Sequence, residues 1–529
     1  MTAFAFMRPT IVERINSNGM KRARLQSRAV LRPILWVVLA LAACWLPVPA
    51  QDQPSRQSQT QQPTKPVPPP EQPPQAEQKE EPEVKITPRQ AEELFHSVDE
   101  ILEFDSKQSG LHIKHNVKRR LTSRDEVVAY LTDHLNDEDT RRLRRSELVL
   151  KKFGLLPRDF DLQKLLVALL KEEVAGYYDP KTKTVNLLDW VPIEEQEPVM
   201  AHELTHALQD QDVNLQKWMK RGEKDLGEIK KDPTPEDIEN DEIDNAREAV
   251  IEGQAQAMMF QYAIAPTGHS ILTSPELVKA MEEETLTGTS STKVFNDAPI
   301  FIKESLTFPY SYGMSFILEL MQKGGKEQAF AKLLHDPPHT TRQIMQPETY
   351  LSGEKLPQMF VPDFKRDFKD YEKFDIGAMG EFDVDLLVEQ YCGKEVAKKI
   401  YPEWRGGYYY AAKSKANGAA PLGLLYVSRW SSPESASRFA GIYASSLKQR
   451  YKKPSENGQP GAADPPTKTT DEKSPPTPPA LSGRHTWSTE EGSVLIKVQG
   501  DTVFVSESLD PATTATLEAE VFSVAPAAK

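Results

Sequence analysis

Cysteine is almost missing from this 529-residue chain: it occurs only as Cys44 and Cys392. Cys44 falls in a segment read below as removed or modified, so the mature chain has no disulfide to rely on. Stability must come from an apolar core or from a bound metal. A basic excess is missing as well. Lys and Arg number 65 against 78 Asp and Glu, a formal net charge of −13 with a pI near 5.5. Nucleic-acid binding by phosphate neutralisation therefore has no electrostatic footing, and the acidic surface implies mainly solubility. No internal repeat is present. Histidine is sparse, at 10 residues, so any histidine pair at ligand spacing carries weight.

Proline is abundant, at 42 residues, and much of it lies in two tracts. Such tracts read as linkers, and the length allows about two to four domains. Lys21, Arg22, Arg24, Arg28 and Arg32 precede the apolar run Ile34 to Ala43. A basic segment before an apolar run too short to span a bilayer comfortably reads as an export signal. Val48-Pro49-Ala50 offers small residues for cleavage. Leu41-Ala42-Ala43-Cys44 resembles the bacterial lipobox, so a lipid anchor at Cys44 is the alternative to cleavage after Ala50. Either way the bulk of the chain is expected outside the cytoplasm, periplasmic or secreted.

Residues 51–87 are Gln, Pro and Glu with few apolar positions, the composition of a disordered tether. Helical patterning starts at Ala91 and continues over 124–135, 138–153 and the leucines 162, 165, 166, 169 and 170. Residues 174–188 read as a hairpin around Asp179-Pro180. A helix follows, with Pro198 expected near its first turn and Met200 to Asp210 in its body. Residues 219–245 are almost wholly charged and read as a solvated excursion. Helix resumes over 246–264 and again over 311–334. Past a boundary near 362–380, residues 404–410 and 424–427 read as strands. Residues 453–482 form a second Pro-, Lys- and Thr-rich linker or loop. Residues 494–498 and 502–505 close the chain as a hairpin around Gln499-Gly500-Asp501.

The chemistry concentrates in His202-Glu203-Leu204-Thr205-His206. Histidines at i and i+4 share one helix face, so both imidazoles can reach one ion. Zn²⁺ takes neutral imidazole nitrogens, and a catalytic site has three protein ligands plus water. Glu203 follows the first histidine and sits where a carboxylate takes the proton of that water. The metzincin pattern would need Gly and His at 209 and 212, where this chain has Gln209 and Asp212. The other eight histidines have no supporting motif. A third ligand is instead expected from Arg247-Glu248-Ala249-Val250-Ile251-Glu252-Gly253-Gln254-Ala255. Acids on an otherwise apolar helix are costly to bury without a cation. Glu248 and Glu252 share a face, and Glu252, amid apolar residues, is preferred. Small Gly253 and Ala255 are expected to let this helix approach the His202 helix closely.

At these residues the chain resembles the gluzincins, zinc peptidases whose third ligand is a Glu on the helix after the HExxH helix. His202 to Leu208 is similar to the active-site helix of thermolysin-like enzymes. Glu252-Gly253-Gln254-Ala255 is similar to the Glu-Gly-x-Ala signature of the zinc aminopeptidase branch, and Pro309-Tyr310-Ser311-Tyr312-Gly313 to its Pro-Tyr-x-x-Gly segment. The resemblance covers residues 174–325. It implies His202, His206 and Glu252 as zinc ligands, Glu203 as general base and Tyr310 as oxyanion donor. Two alternatives stay open: Glu248 as the ligand, and Tyr312 as the donor. The spacing between His206 and Glu252, 45 intervening residues, is longer than in the common aminopeptidases, and the charged insert accounts for it. The Gly-x-Met-Glu-Asn segment that anchors a free amino terminus in aminopeptidases is absent, which points to an endopeptidase.

The expected organisation is therefore α+β. An export signal (1–50) and a linker (51–87) precede a mainly helical zincin-like peptidase domain with a small hairpin or sheet (88–361). A smaller α+β region (362–529) with a disordered loop at 453–482 follows. The expected function is zinc-dependent hydrolysis of a peptide or protein substrate. Its rivals are a non-enzymatic, zinc-stabilised or degenerate binding protein, and hydrolysis of a non-peptide amide.

Overall fold

The computed structural model describes residues 85–127, 137–172, 176–191, 193–219, 235–280, 293–457 and 477–523. The expected export signal with Cys44 and Ala50, and the expected tether up to residue 84, lie outside these residues. So do most of the expected helix 124–135, the middle of the charged excursion and most of the loop 453–482. Among the described residues no helix is long and apolar enough to cross a membrane.

The chain is α+β. Helix α1 (Pro88–Ser109) opens at Thr87, which caps it in a reciprocal capping box with Gln90, and stops at Gly110 in the left-handed region (φ 80°). Strand β1 (Lys118–Thr122) and helices α2 (Asp137–Phe153) and α3 (Leu162–Glu172) follow. The expected hairpin is present as β2 (Tyr177–Asp179) and β3 (Thr184–Leu188). β3 also pairs in parallel with β1, giving a three-stranded sheet in the order β1-β3-β2. The partnership with β1 had no local sequence signal, because parallel pairing joins segments far apart in the chain.

Three long helices form the centre of this half. They are α4 (Ile193–Val213), α5 (Pro235–Ile264) and α6 (Ile300–Glu327). α4 begins earlier than expected, so Pro198 lies in its second turn, not its first. α5 also begins early. The expected excursion thus ends at Pro235, and the charged residues up to 245 are helical. The reason is packing, since Ile238, Glu242 and Ala246 bury one stripe of an otherwise polar segment. Pro309 and Tyr310 sit inside α6, which runs to a kink at Gly325 and a π turn (Gln328–Lys332).

α4 is buried on all sides from Val199 to Asp210, and α5 from Ala246 to Gln261. Both are therefore core helices, and every polar group they carry inward needs a partner. α6 lies against α5 at a glycine contact. A Cβ on Gly253 would lie 2.3 Å from the carbonyl carbon of Gly313, and one on Gly313 would lie 2.2 Å from the carbonyl oxygen of Ala249. Gly253 thus faces α6 and not the His202 helix, which corrects that expectation.

The C-terminal half is a seven-stranded antiparallel sheet in the order β4-β5-β6-β10-β9-β8-β7. Its strands are β4 (Tyr371–Ala378), β5 (Trp404–Ser414), β6 (Gly423–Trp430), β7 (Ser455–Glu456), β8 (Gly483–Thr489), β9 (Gly492–Gln499) and β10 (Thr502–Glu507). The closing hairpin pairs Gln499 with Thr502 across Gly500, whose φ is 59°. Side chains alternate faces along β5. Tyr409 and Ala411 join the main core with helices α7 (Glu381–Cys392) and α8 (Pro433–Arg450). Tyr408, Tyr410 and Ala412 join a second cluster with Phe364, Phe368 and helix α9 (Pro511–Ser523). The main core is continuous from Leu94 to Val505 and includes residues on both sides of the expected boundary. Glu507 marks the join: buried, it accepts from Tyr443 Oη (2.7 Å), Tyr451 Oη (2.6 Å) and Arg450, with Lys152 of α2 beside it.

Candidate metal centre

α4 carries His202 and His206 one turn apart on the face turned to α5, and α5 presents Glu252 between them. His202 Nε2 lies 3.0 Å from Glu252 Oε2 and His206 Nε2 lies 3.3 Å from Glu252 Oε1. The three ligand atoms lie within 4.8 Å of one another, and all three side chains are buried. Two donors about 2.0–2.1 Å from one tetrahedral ion lie about 3.3 Å apart, so these His–Glu separations would suit a shared ion as well as the buried ion pair they form. The electrostatics agree. Burial opposes the charge on Glu252, yet His206 and His202 hold its pKa well below the usual carboxylate range. Burial likewise opposes protonation of His206, yet Glu252 raises its pKa. These shifts describe a buried histidine–carboxylate ion pair. Two imidazoles and a carboxylate are a donor set that could bind a divalent metal ion.

Glu248, one turn earlier on α5, is buried but is not part of this group. The geometry thus selects Glu252 of the two acids. Among the described residues no second trio of metal-binding side chains comes together.

The histidine orientation has a source that sequence reading missed. His206 Nδ1 lies 2.9 Å from Gln209 Oε1, an acceptor, so Nδ1 bears a proton and Nε2 is the nitrogen turned to Glu252 Oε1. Gln209 is held in turn, donating through Nε2 to the Ile251 carbonyl (3.0 Å) and to Gln254 Oε1 (2.9 Å). Gln254 donates to the Ala329 carbonyl (2.7 Å). The available signal was position: Gln209 lies three residues past His206, on the same face of a helix.

Glu203 projects toward the hairpin. The backbone N–H of Tyr178, on edge strand β2, donates to Glu203 Oε2 at 2.7 Å. The Tyr178 hydroxyl donates to Asp210 Oδ2 (2.7 Å), and Asp210 also pairs with Lys183. The hairpin is thereby latched to α4 at both Glu203 and Asp210. One carboxylate oxygen of Glu203 is fixed by a backbone amide.

Tyr310 reaches the same site from α6. Its ring lies over His202 with centroids 6.0 Å apart and planes 24° apart. Burial, then the nearby Glu252, Glu248 and Glu203 carboxylates, push its pKa well above the usual phenol value, so the hydroxyl stays a neutral donor. Tyr312 is elsewhere, packed on Phe308 (5.2 Å), with burial and then the Asp385 carboxylate pushing its pKa up. No known protein family, curated protein or solved structure matches this chain.

Proposed function

We propose that this chain is an exported zinc-dependent peptidase of the gluzincin type, cleaving peptide bonds within a polypeptide, and that its helical half is a zincin-like catalytic domain. The observation that carries this reading is the convergence of His202, His206 and Glu252 from two buried helices, with Glu203 adjacent on α4. Glu203 latches the hairpin through Oε2 only, and a purely structural metal site would not need its second carboxylate oxygen, which favours an enzyme over a zinc-stabilised binding protein.

His202, His206 and Glu252 would hold the ion, which when bound would acidify water and polarise a substrate carbonyl. Glu203 takes a proton from the attacking water and later returns it to the leaving amine. The Tyr178 amide on Oε2 leaves Oε1 for that exchange. Tyr310 donates its phenolic hydrogen to the oxygen that becomes negative, which stabilises the transition state more than the substrate. Because its phenol does not ionise near neutral pH, the donor is always present.

The test is zinc stoichiometry by mass spectrometry together with digestion of a broad peptide library. One zinc per chain with peptide turnover is expected. Bound zinc without turnover favours the binding protein, and no zinc at all overturns the metal site.

A further inference from the structure

Glu203 and Asp210 lie two turns apart on α4, so about 10 Å separates them along one face of the helix. A single residue bridges them. Tyr178 donates its backbone N–H to Glu203 Oε2 (2.7 Å) and its hydroxyl to Asp210 Oδ2 (2.7 Å). All three residues are buried, and the Asp210 side chain is closed to solvent. Burial, then the Asp210 charge, push the Tyr178 pKa well above the usual phenol value, so the hydroxyl keeps its proton.

Asp210 is itself held from two further sides. The Leu215 amide, just past the end of α4, donates to Oδ1 (3.0 Å), and Lys183 pairs with Oδ2. Lys183 closes the turn between β2 and β3 in the left-handed region (φ 59°), where its own amide donates to the Asp179 carbonyl (2.8 Å). β2 is the weaker side of this contact. It is three residues long and lies at the edge of its sheet, paired with β3. So short an edge strand frays readily. The amide it offers Glu203 is only as fixed as the strand, and the Tyr178–Asp210 bond ties that same residue to α4.

We propose that Asp210 is a positioning residue for Glu203: through the Tyr178 hydroxyl it holds β2 in place, so that the Tyr178 amide sets the orientation of the Glu203 carboxylate for proton transfer. The inference rests on the peptidase reading above. Asp210 acts from two turns away and through the strand. His202, His206 and Glu252 meet on the other side of α4, where Gln209 ties that helix to α5. Loss of the Tyr178–Asp210 bond therefore frees Glu203 to turn without dispersing the three candidate ligands. The expected signature is a fall in kcat with KM and zinc content kept.

Tyr178→Phe tests it on the full chain, since it removes the hydroxyl and keeps the ring and the amide. With zinc bound, kcat should fall by about 10–100-fold, the usual effect of a supporting partner, at unchanged KM and zinc stoichiometry. Asp210→Ala should match it. Asp210→Asn should turn over near the wild-type rate, because its amide nitrogen donates to the Tyr178 hydroxyl while its oxygen accepts from Leu215. In a Glu203→Gln background Tyr178→Phe should cost nothing further, since no base is left to position. A second readout needs no turnover. In the metal-free chain, the amide at position 178 should exchange its hydrogen about 2–10-fold faster in Tyr178→Phe, the shift expected from one lost hydrogen bond. Unchanged kcat in zinc-bound Tyr178→Phe overturns the proposal and leaves the peptidase reading standing. A loss that multiplies with that of Glu203→Gln also overturns it, because the hydroxyl then acts elsewhere. Zinc-bound wild type without turnover removes the peptidase reading. The exchange rate then decides the link between Asp210 and Glu203 alone, with acceleration upholding it and no change overturning it.

Discussion

Gly253 of α5 and Gly313 of α6 touch backbone to backbone, with no room for a methyl group on either. This contact sets how far Tyr310 of α6 stands from Glu252 of α5. It ties two short motifs, Glu-Gly-x-Ala and Pro-Tyr-x-x-Gly, to one geometric purpose. Gly253→Ala forces the helices apart, and overpacking of this kind costs about 1–3 kcal/mol. Denaturant unfolding should show that loss. Zinc content should persist, since α4 and Glu252 are not separated by it, while kcat falls through displaced Tyr310. Unchanged stability would show that the helices slide without cost.

Glu252 and Glu248 make opposite predictions for the metal. Glu252→Ala should abolish stoichiometric zinc and with it the zinc-dependent rise in melting temperature. Glu248→Ala should keep the zinc. Mass spectrometry of metal content and a thermal scan with and without chelator read both. Full occupancy in the first variant and loss in the second would move the ligand to Glu248.

Glu203→Gln tests the base. The amide is nearly isosteric and its oxygen can still accept the Tyr178 N–H, so fold and zinc should survive. Positioned acid–base groups contribute about 10²–10⁴-fold, and peptide turnover should fall by that amount. Turnover within a few-fold of wild type would sink the mechanism.

Gln209→Leu removes the acceptor that fixes the His206 tautomer. Partners of this kind are worth about 10–100-fold in metal affinity. Competition with a zinc indicator should show a loss in that range, with helicity unchanged by circular dichroism. An unaltered affinity would mean that Gln209 serves only the packing of α4 on α5.

Asp105 on α1 is fully buried, and neither of its oxygens has a hydrogen-bond partner. Thr205 stands beside it but donates to the Ala201 carbonyl. Burial raises the Asp105 pKa well above its ordinary value. The folded state therefore binds this proton more tightly than the unfolded state does. The stabilisation from that proton is complete below the ordinary carboxylate range and is lost as pH rises toward the folded pKa. Asp105→Asn should accordingly be more stable than wild type at pH 7, by about 1–3 kcal/mol. The difference should shrink as pH falls toward about 4. A difference that does not depend on pH would refute the assignment.

Much of this arrangement was legible in the chain, because it depends on neighbours. His202 and His206 share a face in any helix, whatever surrounds it. Glu252 stood out because a carboxylate amid Ala249, Val250, Ile251 and Ala255 is expensive without a cation. The two hairpins were legible from turn residues between β-rich runs, although Gln499, expected in the turn, pairs with Thr502 as the last residue of its strand. The extent of α5 was not. Residues 235–245 lack apolar periodicity in sequence, and only packing of Ile238 and Glu242 reveals their buried stripe.

The sequence by itself determined that a histidine pair, a carboxylate beside it and a candidate third ligand exist, since i and i+4 spacing and the cost of a buried charge are local facts. The tertiary structure alone decided which groups meet. Tyr310 and Tyr312 are two residues apart and so point about 200° apart on their helix. Which of them faces His202 depends on the contact of Gly253 with Gly313. The Gln209 support and the Tyr178 amide on Glu203 likewise arise only when helix and strand pack, because hydrogen bonds between distant segments leave no periodicity in the chain.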